Sequence, residues 1–137
     1  MLVVDFQPLF GESAHGLYVI PLEKSKYFEP EIFDELGNDL ISLSSKGNTI
    51  LLGDFNARTS KLEDYISNKG NKHVYNINEH SLQPLERQNI DGIINNHGKQ
   101  LINICKNSDM RILNGRTKGD SLGRPIFHRK NGTSVID

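Results

Sequence analysis

Thr49-Ile50-Leu51-Leu52-Gly53-Asp54-Phe55-Asn56 is the stretch on which the fold turns. A β-branched threonine leads into Ile50, Leu51 and Leu52 with no polar residue between them. Such a run predicts a strand covered on both faces, the usual situation inside an α/β sheet. Gly53 ends the run, and an acid and an amide follow, two positions apart. Ligands of open α/β sheets bind at the carboxyl ends of the strands. In extended chain, positions i and i+2 point to the same side, so Asp54 and Asn56 are expected to face together. A carboxylate in that position can orient or deprotonate a water, and a neutral amide can steady charge growing on a phosphoryl oxygen. The same pattern also fits an acid that merely caps a turn. A Walker B strand is a third reading, but the chain contains no GxxxxGK[ST] loop to accompany it.

Outward from this run, residues 29–46 read as a helix. Pro30 suits a first turn, and Glu29, Glu31, Asp34 and Glu35 favour the positive end of the helix dipole. Ile32, Phe33, Leu36, Leu40 and Leu43 recur at helical spacing, Gly37 weakens the pattern, and Lys46-Gly47 reads as its stop. Residues 17–20, β-branched and aromatic and closed by Pro21, read as a buried strand, and residues 2–6 as a shorter one, with a loop over 7–16. Beyond the central run, one or two helical turns fit residues 62–67. A long polar loop rich in Asn fits residues 68–89. Residues 98–107 return to helical spacing through Leu101, Ile102, Ile104 and Cys105, with Asn95 or Asn96 as the N-cap. Residues 110–113 read as a strand and 114–124 as a loop punctuated by glycine. Residues 125–129 and 133–136 flank Asn131-Gly132, a type I′ hairpin signal. Alternating strand and helix with a terminal hairpin predicts a mixed α/β sheet.

A length of 137 residues suits one domain. Sixteen Lys+Arg against 17 Asp+Glu give a net charge of −1, which excludes holding nucleic acid or an anionic membrane by bulk charge. Local contacts of a nuclease remain compatible with it. Cys105 is the single cysteine, so an internal disulfide and a multi-cysteine zinc site are excluded. Its apolar neighbours make it a core residue rather than a nucleophile. His15, His73, His80, His97 and His128 are scattered and form no HxxxH pair, so no metal site is expected from them. The apolar runs fall far short of a membrane span, and Leu2-Val3-Val4 carries no basic flank, so no membrane partner or targeting signal is expected and the reading is intracellular. Lys118, Arg124, Arg129 and Lys130 gather in sequence toward Asp137, either as contacts to backbone phosphates or as a solvated charged face.

Ile50-Leu51-Leu52-Gly53-Asp54-Phe55-Asn56-Ala57-Arg58 resembles the GDFN segment of the endonuclease/exonuclease/phosphatase superfamily. More narrowly, it is similar to the endonuclease domain that precedes the reverse transcriptase in non-LTR (LINE-like) retrotransposons. Three further stretches follow in the family's order. Residues 20–27 resemble its tyrosine–proline–proline strand exit; residues 111–116 with Gly119-Asp120 resemble its strand and loop; Phe127 through Ser134-Val135-Ile136-Asp137 is similar to its TF…G…S-x-IDY hairpin. Val19 stands two before Pro21, with Tyr18 one place early, and Ile126 stands where a threonine is usual.

The resemblance implies a partial α/β sandwich of mixed β-sheets flanked by helices, forming a single partial domain over residues 1–137. It implies Mg²⁺-dependent hydrolysis of a DNA phosphodiester by water, with DNA as partner and a nuclear location if the DNA is chromosomal. Asp54 would orient or activate the attacking water, Asn56 would stabilise the phosphoryl transition state, and Asp137 would pair with the family's catalytic histidine. Arg116, Arg124, Arg129 and Lys130 would contact substrate. The family's histidine lies in a Ser-Asp-His motif beyond the place of Asp137. Its early acidic metal ligand lies before the segment matching residues 17–21, where Asp5 and Glu12 are the acids present. The metal ligands are therefore unassigned, and the resemblance implies a domain truncated at both ends with little nuclease activity alone. The alternative is a domesticated or decayed remnant that binds nucleic acid or a protein partner without catalysis. A different metallophosphatase would need downstream GNHD/E and histidine ligands, which the sequence lacks.

Overall fold

The computed structural model describes residues 13–45, 47–66, 87–117, 119–124, 127–129 and 132–134. They form a small mixed α/β fold. Strand β1 (Ser13–Val19) leads through helix α1 (Ile32–Ser44) to strand β2 (Asn48–Asp54), then helix α2 (Asn96–Asn107) and a hairpin of β3 (Phe127–Arg129) and β4 (Gly132–Ser134). β1 and β2 pair in parallel, from Ser13 opposite Asn48 to Val19 opposite Asp54. β3 and β4 pair antiparallel, Phe127 opposite Ser134, at the place where the Asn131-Gly132 signal predicts a hairpin.

α1 starts later than its sequence signals suggest. Glu31 is the N-cap but makes no side-chain cap bond, while Asp34 and Glu35 occupy the first turn. Phe33, Leu36 and Leu40 form the buried face at helical spacing. At the other end Ser44 Oγ and Ser45 Oγ donate back to the carbonyls of Ile41 and Ser42, an alternative to helix continuation that closes the last turn. Gly53 makes the parallel pairing possible. Its φ is +150°, and a Cβ there would stand 1.7 Å from the carbonyl oxygen of Tyr18 on β1, so no other residue fits.

The core joins Tyr18 and Ile20 from the β1 side, Phe33, Leu36 and Leu40 from α1, Phe55 and Ala57 after β2, and Leu101 and Cys105 from α2. Cys105 thus takes the core position expected of it. One expectation about β2 is corrected. Leu51 packs against the core, but Ile50 is 44% exposed and Leu52 52%, so among the described residues the strand is covered on one face only. Alternation sends Ile50 and Leu52 outward together. Val19 on β1 is exposed as well.

Residues 110–113 do not form the expected strand. The Ile112 amide is bonded to Asp64 Oδ2 and the Met110 carbonyl accepts from the Arg111 guanidinium, so side chains take groups a ladder would need. Residues 62–66 are likewise not helical, because Asp64 turns inward to an arginine described below. The expected strand over residues 2–6, most of the loop over 68–89 and the hairpin turn at 130–131 lie outside the described residues.

Tyr18 is 4% exposed and its hydroxyl donates to Asp39 Oδ2 at 3.1 Å, tying β1 to α1. Burial first, then the bond to Asp39 and its negative charge, push the phenol up to about 12 from its ordinary 10.0. The folded state therefore holds this proton more tightly than the unfolded chain does. The resulting stability is complete below pH 10.0 and is lost as pH climbs toward about 12. Urea unfolding followed across that window should show the decline, and Tyr18→Phe should remove this residue's share of it.

Candidate functional site

The site is built where β2 ends. Asp54 is exposed at the carboxyl end of the strand, and the chain turns immediately, with Asn56 in the left-handed region at φ 48°. The Asn56 amide donates to Asp54 Oδ1 at 2.9 Å, an Asx-type turn bond. Asn56 Nδ2 donates to the carbonyl of Ile20 at 2.8 Å, and the Ile20 amide donates to the Asp54 carbonyl at 2.9 Å. The structure thus brings Asp54 and Asn56 together, through a turn stitched to the exit of β1 rather than through extended alternation. Asp54 Oδ2 accepts no bond from any described residue, and Asn56 keeps one amide hydrogen and Oδ1 unengaged among them. An exposed carboxylate oxygen beside a fixed amide can hold a cation or a water and offer a donor to an anionic oxygen.

A second layer holds this turn from behind, and it comes from α2. Asn95, the N-cap, accepts at Oδ1 from the amides of Gly98 at 2.8 Å and Arg58 at 2.9 Å, while its Nδ2 donates to the Asn56 carbonyl at 2.8 Å. His97, 2% exposed, donates from Nδ1 to the Phe55 carbonyl at 3.2 Å. Its ring lies against Phe28 and Phe33, and its Nε2 faces Glu23 Oε1 at 3.9 Å without a hydrogen bond. Gly98 lets the helix approach: a Cβ there would lie 2.1 Å from the Arg58 carbonyl oxygen.

The strand exit continues into paired charges. Arg58 makes a two-pronged contact with Asp91, Nε to Oδ2 and Nη2 to Oδ1, each at 2.8 Å. Arg87 donates to Thr59 Oγ1 and to the Ser60 carbonyl. Asp64 is 0% exposed and receives Arg116 Nη1 on Oδ2 at 2.6 Å and Nη2 on Oδ1 at 2.7 Å. Burial alone raises the Asp64 carboxyl, but Arg116 and the Ile112 amide outweigh it and hold the group below its ordinary value.

Arg116, a candidate DNA contact by sequence, is therefore 6% exposed, with its guanidinium committed to Asp64 and to the Ile112 carbonyl. Its charge is spent inside the fold. Arg124 is exposed, with its amide donating to Asp120 Oδ1 at 3.1 Å. Arg129 lies on β3. Lys118, Lys130 and Asp137 lie outside the described residues, as do Asp5 and Glu12, and so does the expected approach of Asp137 to Asp54. Among the described residues, no group of three or more His, Cys, Asp or Glu could hold a metal ion, and no helix is long and apolar enough to cross a membrane.

The sequence marks Asn95 or Asn96 as the cap, but nothing in it points to the second bond of Asn95 or to the contacts of Asp91 and His97. The signal available was the single Asn95–Gly98 spacing; the contacts of Asp91 and His97 reach 33 and 42 residues along the chain and leave no local pattern. Comparison with protein-family models, with curated proteins and with solved structures finds no match to this chain.

Proposed function

We propose that this chain is part of a metal-dependent DNA endonuclease of the retrotransposon type, cutting phosphodiesters by attack of water. One observation carries the reading. An exposed Asp54 and a fixed Asn56 stand bonded to each other at the carboxyl end of a parallel strand, within the GDFN segment. The finer fold belongs to the same proposal: the pair β1–β2 is one layer of a partial endonuclease-type sandwich. Its outward Val19, Ile50 and Leu52 fit a second layer over that face.

Mg²⁺ fits these residues as a half-site. The ion keeps several waters and takes only one or two protein carboxylates beside substrate phosphate, and Asp54 Oδ2 is available for it. When bound, Mg²⁺ supplies charge neutralisation at the phosphate and a more acidic water. Asp54 holds and orients the water, and the unengaged amide hydrogen of Asn56 steadies a phosphoryl oxygen. With a net charge of −1, affinity for DNA comes from local cations such as the exposed Arg124.

The test is an NMR titration of the folded chain with Mg²⁺ and a short DNA duplex. The amides of Asp54, Phe55, Asn56 and Ala57 should move on adding Mg²⁺ and move further with duplex, with Mn²⁺ broadening the same signals. Asp54→Ala should abolish the Mg²⁺ response. Signals at this turn that stay fixed through both additions would overturn the proposal.

A further inference from the structure

The geometry points to Asn95 as a positioning residue: its side-chain amide sets the backbone turn that aims Asn56. Capping α2 calls only for an acceptor, and Asn95 Oδ1 meets that need at the Gly98 amide. Serine and aspartate serve as N-caps as well as asparagine does. What a cap does not require is a donor, and Asn95 uses its Nδ2 on the Asn56 carbonyl, 39 residues away in sequence.

Asn56 depends on that bond more than an ordinary turn residue would. Its φ of 48° lies in a region that non-glycine residues occupy at a cost unless their surroundings hold them there. Three contacts do so: the Asn56 amide on Asp54 Oδ1, Asn56 Nδ2 on the Ile20 carbonyl, and Asn95 Nδ2 on the Asn56 carbonyl. The first two tie Asn56 to the strands; the third alone ties it to the helix. Asn95 is itself fixed, since its amide donates to the Arg58 carbonyl at 3.1 Å and its Oδ1 also accepts from the Arg58 amide at 2.9 Å. The Arg58 amide and carbonyl and the Asn56 carbonyl thus all meet one asparagine. Helix and turn are coupled through it.

Asn95→Asp isolates the coupling. It keeps the cap acceptor, adds a charge favourable at a helix N-terminus, and replaces the donor to Asn56 with an oxygen that repels its carbonyl. The functional half of the inference rests on the proposal that Asn56 meets substrate phosphate, so two readouts are kept separate. The first needs no ligand: the backbone and side-chain amide signals of Asn56, recorded with the melting temperature. Asn95→Asp, which keeps the cap, should lower the melting temperature less than Asn95→Ala does while shifting both Asn56 signals, whereas Asn95→Ala, which loses the cap as well, should lower it by about 2–8 °C. The second readout is affinity for a short duplex in Mg²⁺. Asn95→Asp should weaken it by about tenfold or more relative to Asn96→Asp, which adds the same charge at the exposed neighbouring position. Asn95→Ser, neutral and cap-competent, carries the same comparison should Asn95→Asp fail to fold.

Unmoved Asn56 signals in a folded variant would overturn the positioning role whatever DNA does. Shifted signals with unchanged affinity, in a chain whose parent binds duplex at this turn, would overturn its connection to substrate. A parent that does not bind duplex there defeats the proposed function, while the Asn56 signals still decide the positioning role.

Discussion

Arg116→Ala is expected to lower folding stability by about 3–5 kcal/mol, the usual result of stripping one partner from a buried ion pair. Asp64, 0% exposed in the parent, would be left with its carboxylate facing the space where two guanidinium nitrogens had been. Domains of ordinary stability hold about 5–15 kcal/mol in all, so a marginal chain would unfold outright at room temperature. Replacing both partners by apolar residues, Asp64→Leu with Arg116→Met, should cost less, because no orphaned charge remains, although the Ile112 amide and carbonyl lose their partners. Urea denaturation of the single and double variants measures the difference. Acid provides a second reading of the same pair. The folded Asp64 carboxyl sits below its ordinary 3.8, so the stability it brings is present above pH 3.8 and drains away as pH falls through the lower folded value. Asp64→Asn should lose that part of the acid sensitivity. A cost for Arg116→Ala below about 1 kcal/mol, the range of exposed pairs, would mean that the guanidinium is free to leave Asp64 and serve elsewhere.

Leu36→Ala should cost about 2–5 kcal/mol, for a different reason. Leu36 is 0% exposed at the middle of the buried face of α1, between Phe33 and Leu40. Truncation there removes apolar surface from a packed environment and leaves a void that backbone shifts close only partly. Ile41 on the same helix is 69% exposed and supplies the control: Ile41→Ala should stay within about 0.5 kcal/mol of the parent. Both positions carry similar helix propensity changes, so the contrast reports docking of α1 on the sheet. Equal effects at the two sites would mean that α1 does not seat on this face.

How far the sequence speaks depends on how local each interaction is. The periodicity of Phe33, Leu36 and Leu40 marks α1, and Asn95 or Asn96 ahead of an apolar-spaced run marks the start of α2, with Asn95 the cap in the structure, because both signals lie within a few residues. The run of Ile50, Leu51 and Leu52 marks a strand correctly but points to cover on both faces, where the described residues cover one. With apolar side chains at every position, the alternation that separates inside from outside is erased. Residues 110–113 look like a strand by composition, yet the amide of Ile112 is claimed by Asp64 across 48 residues. The Asp64–Arg116 contact spans 52 residues and Arg58–Asp91 spans 33, and neither has any signature in the intervening chain. At the candidate site the legible part was the pairing of Asp54 with Asn56. The turn that joins them, and the asparagine and histidine of α2 that brace it, emerge only once the helix is docked.

Cys105 turns the burial of α2 into a clock. It is the single thiol of the chain and is 5% exposed, seated in the core with Leu101 on the inner side of the helix. Alkylating reagents react with accessible thiolate, so they must wait for this helix to lift away or for the whole domain to open. When reclosing outpaces modification, the labelling rate follows the population of the open form; when modification is faster, it follows the opening rate itself. Varying reagent concentration moves the chain from one regime to the other. A stopwatch of that kind times the release of the helix whose first residues clamp Phe55 and Asn56, without a dye or a tag having been added.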